Sequence, residues 1–130
     1  MLLDRACIGG GWNAGNAVVY GVPLRPHIDA TAIALAALRL HYQHTIVRNS
    51  LTWILDCIQC PSAYSLAWLI LAVARYRDLR SDVMPALTAA RDRLIELVDN
   101  PQGIQDTSTI ALAALALGVG SIGNPFEVNA

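Results

Sequence analysis

Two kinds of helix alternate along this chain, and that alternation constrains its fold more than any other feature. Asp29 precedes Ala30-Thr31-Ala32-Ile33-Ala34-Leu35-Ala36-Ala37-Leu38, a run of strong helix formers. It is apolar on all faces and therefore predicts a fully buried helix. Thr45–Ile58 differs: Val47, Leu51, Ile54, Leu55 and Ile58 share one face, with Arg48, Asn49, Thr52 and Asp56 elsewhere. Pro61 opens a second all-apolar helix from Ser62 to about Tyr76. Ser81 or Asp82 caps a second amphipathic one, with Val83, Leu87, Ala90, Leu94 and Leu97 at the 3.6-residue period. Asn100-Pro101-Gln102-Gly103 stops it, and Asp106 precedes a third apolar helix, Thr107 to Leu117.

The apolar helices also repeat. Asp29–Leu38 and Asp106–Leu115 are identical at seven of ten positions, and Tyr64 begins a third copy 33 residues after Thr31. Each hairpin of buried and amphipathic helix leaves an oily face that only its neighbour can cover, so the expected fold is an all-α array of inner and outer helices. The 130 residues form one domain on this reading. Gly9, Gly10, Gly11, Gly15, Gly21, Pro23 and Pro26 mark residues 1–27 as a loop segment. Gly118, Gly120, Gly123 and Pro125 mark 118–130 as a loose tail.

Composition narrows the function. Hydrophobic residues make up 55 % and charged residues 15 %, which is apolar for a globular chain. The net charge of −1 predicts no nucleic-acid binding. All nine basic residues are Arg, which excludes a lysine Schiff base or a phosphate loop. The longest oily stretch, Pro61 to Ala74, contains Ser62, Tyr64 and Ser65 and is short of the ~20 residues of a membrane span. The start, Met1-Leu2-Leu3-Asp4-Arg5, has no apolar signal region. Three Cys, an odd number, read as free thiols in a reducing cytoplasm.

Gly10-Gly11-Trp12, the Asp29–Leu35 helix start and the outer-helix segment Ser50-Leu51-Thr52-Trp53-Ile54-Leu55 together resemble the repeat of prenyltransferases and squalene/hopene cyclases. The resemblance covers two and a half hairpins and implies an open arc of an α/α toroid, because a closed ring needs more hairpins. It also implies a fragment of a longer protein, or a protomer that completes its core by association. Cyclases carry an Asp-x-Asp-Asp motif before Thr-Ala; here the segment reads His27-Ile28-Asp29-Ala30. Asp29 takes the place of the proton-donating Asp, and His27 and Ala30 replace its helper carboxylates. A lone carboxylic acid is not acidic enough to protonate an alkene without tuned neighbours. The Gln of the Gln-Trp motif is missing before Gly9, and Cys60 stands three residues too far from Tyr64-Ser65 to match the Cys-Tyr-Ser segment of the zinc-binding prenyltransferases.

Each candidate site has a plain structural reading beside it. Asp29 and Asp106 have the type and position of helix N-caps. Trp12 fits between repeats; Tyr64 and Trp68, at i and i+4, share a helix face. These three aromatics are the candidate walls of an apolar, isoprenoid-sized pocket, or else core. Cys57-x-x-Cys60 lies at the C-terminal pole of its helix, where the dipole disfavours a thiolate. His41-x-x-His44 and Cys57-x-x-Cys60 have the composition of a zinc set, but about 13 helical residues at ~1.5 Å each hold the pairs some 20 Å apart. Cys7, His27, Asp29, Cys57 and Cys60 share one end of the array instead, where a metal is the alternative to buried thiols. Arg75, Arg77, Arg80, Arg91 and Arg93, interleaved with Asp78, Asp82 and Asp92, read as a solvated face.

The leading expectation is a repeat module without complete cyclase chemistry and without a cofactor. It binds an apolar small molecule or a protein partner and associates through its uncovered apolar edges. An isoprenoid enzyme completed by another domain or subunit, and a metal or thiol site, are the alternatives.

Overall fold

A computed structural model describes residues 1–100, 104 and 106–127. Among the described residues are five α-helices: α1 (Ile28–Leu38), α2 (Thr45–Leu55), α3 (Ala63–Val73), α4 (Val83–Val98) and α5 (Thr107–Ile122). One small hairpin, β1 (Val18–Val19) and β2 (Val22–Pro23), pairs antiparallel with Val19 opposite Val22. The chain is all-α in class.

Eight of the eleven residues of α3 are buried, so it is the centre of the core. It packs against both α1 and α5, the two most extensive helix pairs. The amphipathic α2 lies on α1, and α4 lies on α3 and α5. The all-apolar helices thus form one layer in the order α1, α3, α5, and the amphipathic helices cover its other side. On α2 the residues facing this layer are Val47, Ser50, Leu51 and Ile54; on α4 they are Val83, Leu87, Ala90 and Leu94. Polar anchors tie the layer together at its helix ends. The Tyr76 hydroxyl donates to the Leu35 carbonyl at 2.7 Å, and the Asn124 amide donates to the Leu71 carbonyl at 2.7 Å. Both carbonyls belong to last turns, where the helix leaves them without an internal partner.

Four boundaries differ from the sequence reading. First, α1 begins at Ile28, with His27 and not Asp29 at the N-cap position. The His27 N–H donates to the Trp12 carbonyl and the His27 carbonyl accepts from Thr31, which starts the ladder two residues early. Second, residues 1–27 are more than loop. Leu3–Arg5 forms a 3₁₀ turn, and Tyr20-Gly21, both at positive φ, turn the hairpin. Third, α2 stops at Leu55 and gives way to turns before Pro61. Fourth, α5 continues through Gly118 and Gly120 and stops at Gly123, φ 85°. The segment after it is no loose tail. Asn124 is buried, Phe126 stacks on Trp68 with centroids 5.6 Å apart, and Glu127 pairs with Arg77 at 3.3 Å. The stop at Pro101-Gln102-Gly103 and the last residues, 128–130, lie outside the described residues.

Candidate functional site

The residues behind the family resemblance do meet in space. Gly9, Gly10 and Gly11 all have positive φ, and the turn they make lays the backbone of Trp12 against α1 and α2. The Gly11 N–H donates to Ser50 Oγ at 2.7 Å, and the Trp12 N–H donates to Thr31 Oγ1 at 2.8 Å. Thr31 and Ser50 are fully buried; the Thr31 hydroxyl donates back to the Trp12 carbonyl and that of Ser50 to the Ile46 carbonyl. A Cβ on Gly10 would lie 2.9 Å from the Ser50 nitrogen, and one on Gly11 would lie 2.5 Å from Pro26 Cβ. The buried hydroxyls of this corner are hydrogen-bonded, and neither Gly10 nor Gly11 leaves space for a Cβ.

Asp29 sits beside this corner, in the first turn of α1, half-exposed. Its carboxylate has no hydrogen-bond or ion-pair partner among the described residues, and the exposed His27 makes no side-chain cap. A negative charge in a first turn favours the helix dipole. Asp106, by contrast, is a true cap. Its Oδ1 accepts from the Thr109 N–H at 2.8 Å and from the Ser108 hydroxyl at 2.5 Å. Those bonds lower its carboxyl to about pKa 2.

The three proposed wall aromatics do not face one space. Trp12, 3 % exposed, has its indole N–H on the Leu2 carbonyl and lines a groove beside Ala30, Ile33 and Ala37. Tyr64, 39 % exposed, edges a shallow polar cleft with Ser62, Asp106 and Thr109. Trp68 is covered by Phe126. The periodicity of α3 puts Tyr64 and Trp68 on one face, but residues 124–127 close over half of that face.

The cysteines are free: Cys7 and Cys60 are buried and Cys57 half-buried. Burial pushes the Cys7 and Cys57 thiols up, with Asp56 and Cys60 adding to the effect on Cys57. Cys57 donates to the Trp53 carbonyl and Cys60 contacts the Ser62 backbone. A raised thiol is a poor nucleophile. Among the described residues no group of three or more His, Cys, Asp or Glu is arranged to hold a metal.

Two features emerge that the sequence reading left unassigned. A cavity of about 290 Å³ lies between α3, α4 and α5, with Ile70, Ala74, Leu87 and Val119 as its floor and Arg77 and Arg91 among its walls. Arg77 is exposed, as expected of a solvated face, and stands at the mouth of this cavity; Arg91 is half-buried, as are Arg80 and Arg93, which pair with Asp82 and Glu96. The second feature is the outer flank of α5. Ile110, Leu115 and Ile122 are 53 %, 40 % and 76 % exposed, although the helix reads as buried from its composition. Ala111 and Ala114 are exposed between them. The flank continues into a groove of about 310 Å³ lined by Val98, Ile104, Ile110 and Leu117.

No helix among the described residues is long and apolar enough to cross a membrane. Compared with protein-family models, with curated proteins and with solved structures, the chain finds no match.

Proposed function

We propose that this chain is a binding module, an open helical-hairpin array of the toroid type without cyclase chemistry, whose α5 flank takes a second copy of the chain. The observation that carries this reading is the exposed outer face of α5. None of the sixteen residues of that helix is charged. Its exposed large apolar residues run from Ile110 to Ile122, about 18 Å at ~1.5 Å per residue, flanked by the exposed Thr107, Ser108 and Ser121. An apolar stretch of that length is a cost in water and marks an interaction site.

A second copy is the occupant because the face is complementary to itself. An isologous pair brings the same patch against its own image, which a row of charges would oppose and an uncharged row of Ile, Ala and Leu favours. Small residues at 111, 114 and 118 let two such helices approach closely. The acid-catalysis alternative has less support: Asp29 stands without helper carboxylates, and the aromatics do not converge on a cavity.

Charge exchange at Ala114, the middle of α5, tests this reading. Ala114→Glu and Ala114→Arg each place like charges near the two-fold axis, and each should sediment as a monomer with wild-type helicity. Mixing the two should restore the dimer. The reading fails if the wild-type chain is monomeric at every concentration, or if both variants dimerise as the wild type does.

A further inference from the structure

We infer that the cavity between α3, α4 and α5 binds an amphipathic monocarboxylate with a short aliphatic tail. The site is independent of the α5 flank, because its α5 residues, Val119 and Gly120, belong to the side of the helix turned toward α3 and α4. Its floor, Ile70, Ala74, Leu87 and Val119, is buried and apolar, with no group that could bond a polar ligand atom. Its rim carries the polar Arg77, Thr88, Arg91 and Asp92 beside the exposed Met84. An apolar pocket with few polar groups at its mouth selects a ligand with one wet end.

The sign of that end follows from the arginines. Arg77 is already engaged by Glu127, at 3.3 Å. Arg91 is half-buried and has no ion pair or hydrogen bond among the described residues. Its guanidinium lies over the α5 backbone: a Cβ on Gly120 would be 2.9 Å from Arg91 Nη1. Gly120 has no Cβ, and that is what leaves Arg91 its place over the helix. Asp92 also lines the rim, but it is exposed, so water and salt screen its charge more than that of the half-buried Arg91. A half-buried guanidinium over an oily floor is complementary to a carboxylate, which it can bind through two parallel N–H···O bonds. The volume admits roughly ten heavy atoms at the ~30 Å³ that a water occupies in the liquid. Octanoate has that size and that charge.

Calorimetric titration of the full chain with octanoate, 1-octanol and octylammonium, all below their aggregation limits, tests the assignment. Octanoate should bind saturably at one site per chain, octanol about tenfold more weakly, and octylammonium not measurably. Arg91→Gln should reduce octanoate affinity to that of octanol and leave octanol binding unchanged; Arg48→Gln, on the exposed face of α2, should change neither. Circular dichroism confirms that each variant is folded. Equal binding of the three ligands, no saturable octanoate binding, or full octanoate affinity in a folded Arg91→Gln chain would overturn the proposal.

Discussion

Thr31 and Ser50 are polar side chains at fully buried positions, and each has a loop N–H as its partner. Leaving such a donor unsatisfied costs about 1–3 kcal/mol. Thr31→Val, which keeps the shape and removes the hydroxyl, should lower unfolding stability by that amount in urea titrations. Gly11→Ala should cost more, roughly 2–4 kcal/mol, because it adds strain at φ 80° to overlap with Pro26. Asp106 supplies a pH dependence. Its carboxyl is lowered to about 2 in the fold, so between the ordinary carboxylate value and 2 the unfolded chain binds the extra proton. Its contribution is fully present above that ordinary value and is lost as pH falls toward 2. The melting temperature of Asp106→Asn should therefore depend less steeply on acid than that of the wild type, while Asn still caps α5. At this scale the sequence was partly legible. The glycine triplet announced a turn, and Asp106 its cap. That Asp29, in the same repeat position, is not a cap depends on a bond from His27 to Trp12 across the loop, which no local pattern encodes.

The two near-identical helices have different surroundings. Leu35 and Leu38 of α1 are buried, whereas their repeat counterparts in α5, Leu112 and Leu115, are half-buried and exposed. The residues are the same; the neighbours are not. Among the described residues α1 packs on α2, α3 and the Trp12 loop, and α5 mainly on α3 and α4. Substitutions should report this. Leu66→Ala, in the middle of α3, should cost about 2–5 kcal/mol through lost burial and a cavity. Leu115→Ala should stay within ~0.5 kcal/mol in dilute solution, where the flank is uncovered. Chemical denaturation of both variants reads the difference, and equal losses would mean that α5 is packed on its outer side too. All-apolar periodicity identified α1, α3 and α5 as helices. It could not say which of them lies at an edge, because edge and centre differ in what surrounds a helix and not in its own residues.

The whole molecule is a two-layered stack with α3 at its centre. One side of the stack is closed by the N-terminal loop against α1; along α5, Ile110, Leu115 and Ile122 are exposed among the described residues. Alternation of helix types predicted the layering, and hairpin logic predicted an uncovered edge. The α3–α4–α5 cavity was not legible, because its floor combines residues from three helices far apart in sequence and its arginines resemble an ordinary charged surface. The ordered segment after α5 was hidden for a related reason: its glycines and proline look like a linker, while Asn124, Phe126 and Glu127 each find a long-range partner. An α5 flank that is an interface between copies is tested by hydrogen–deuterium exchange, measured peptide by peptide at rising protein concentration. Protection over residues 110–122 should increase with concentration while that over α1 and α3 stays constant. Protection over 110–122 that does not change with concentration, or an increase confined to the exposed hairpin at 18–24, would contradict it.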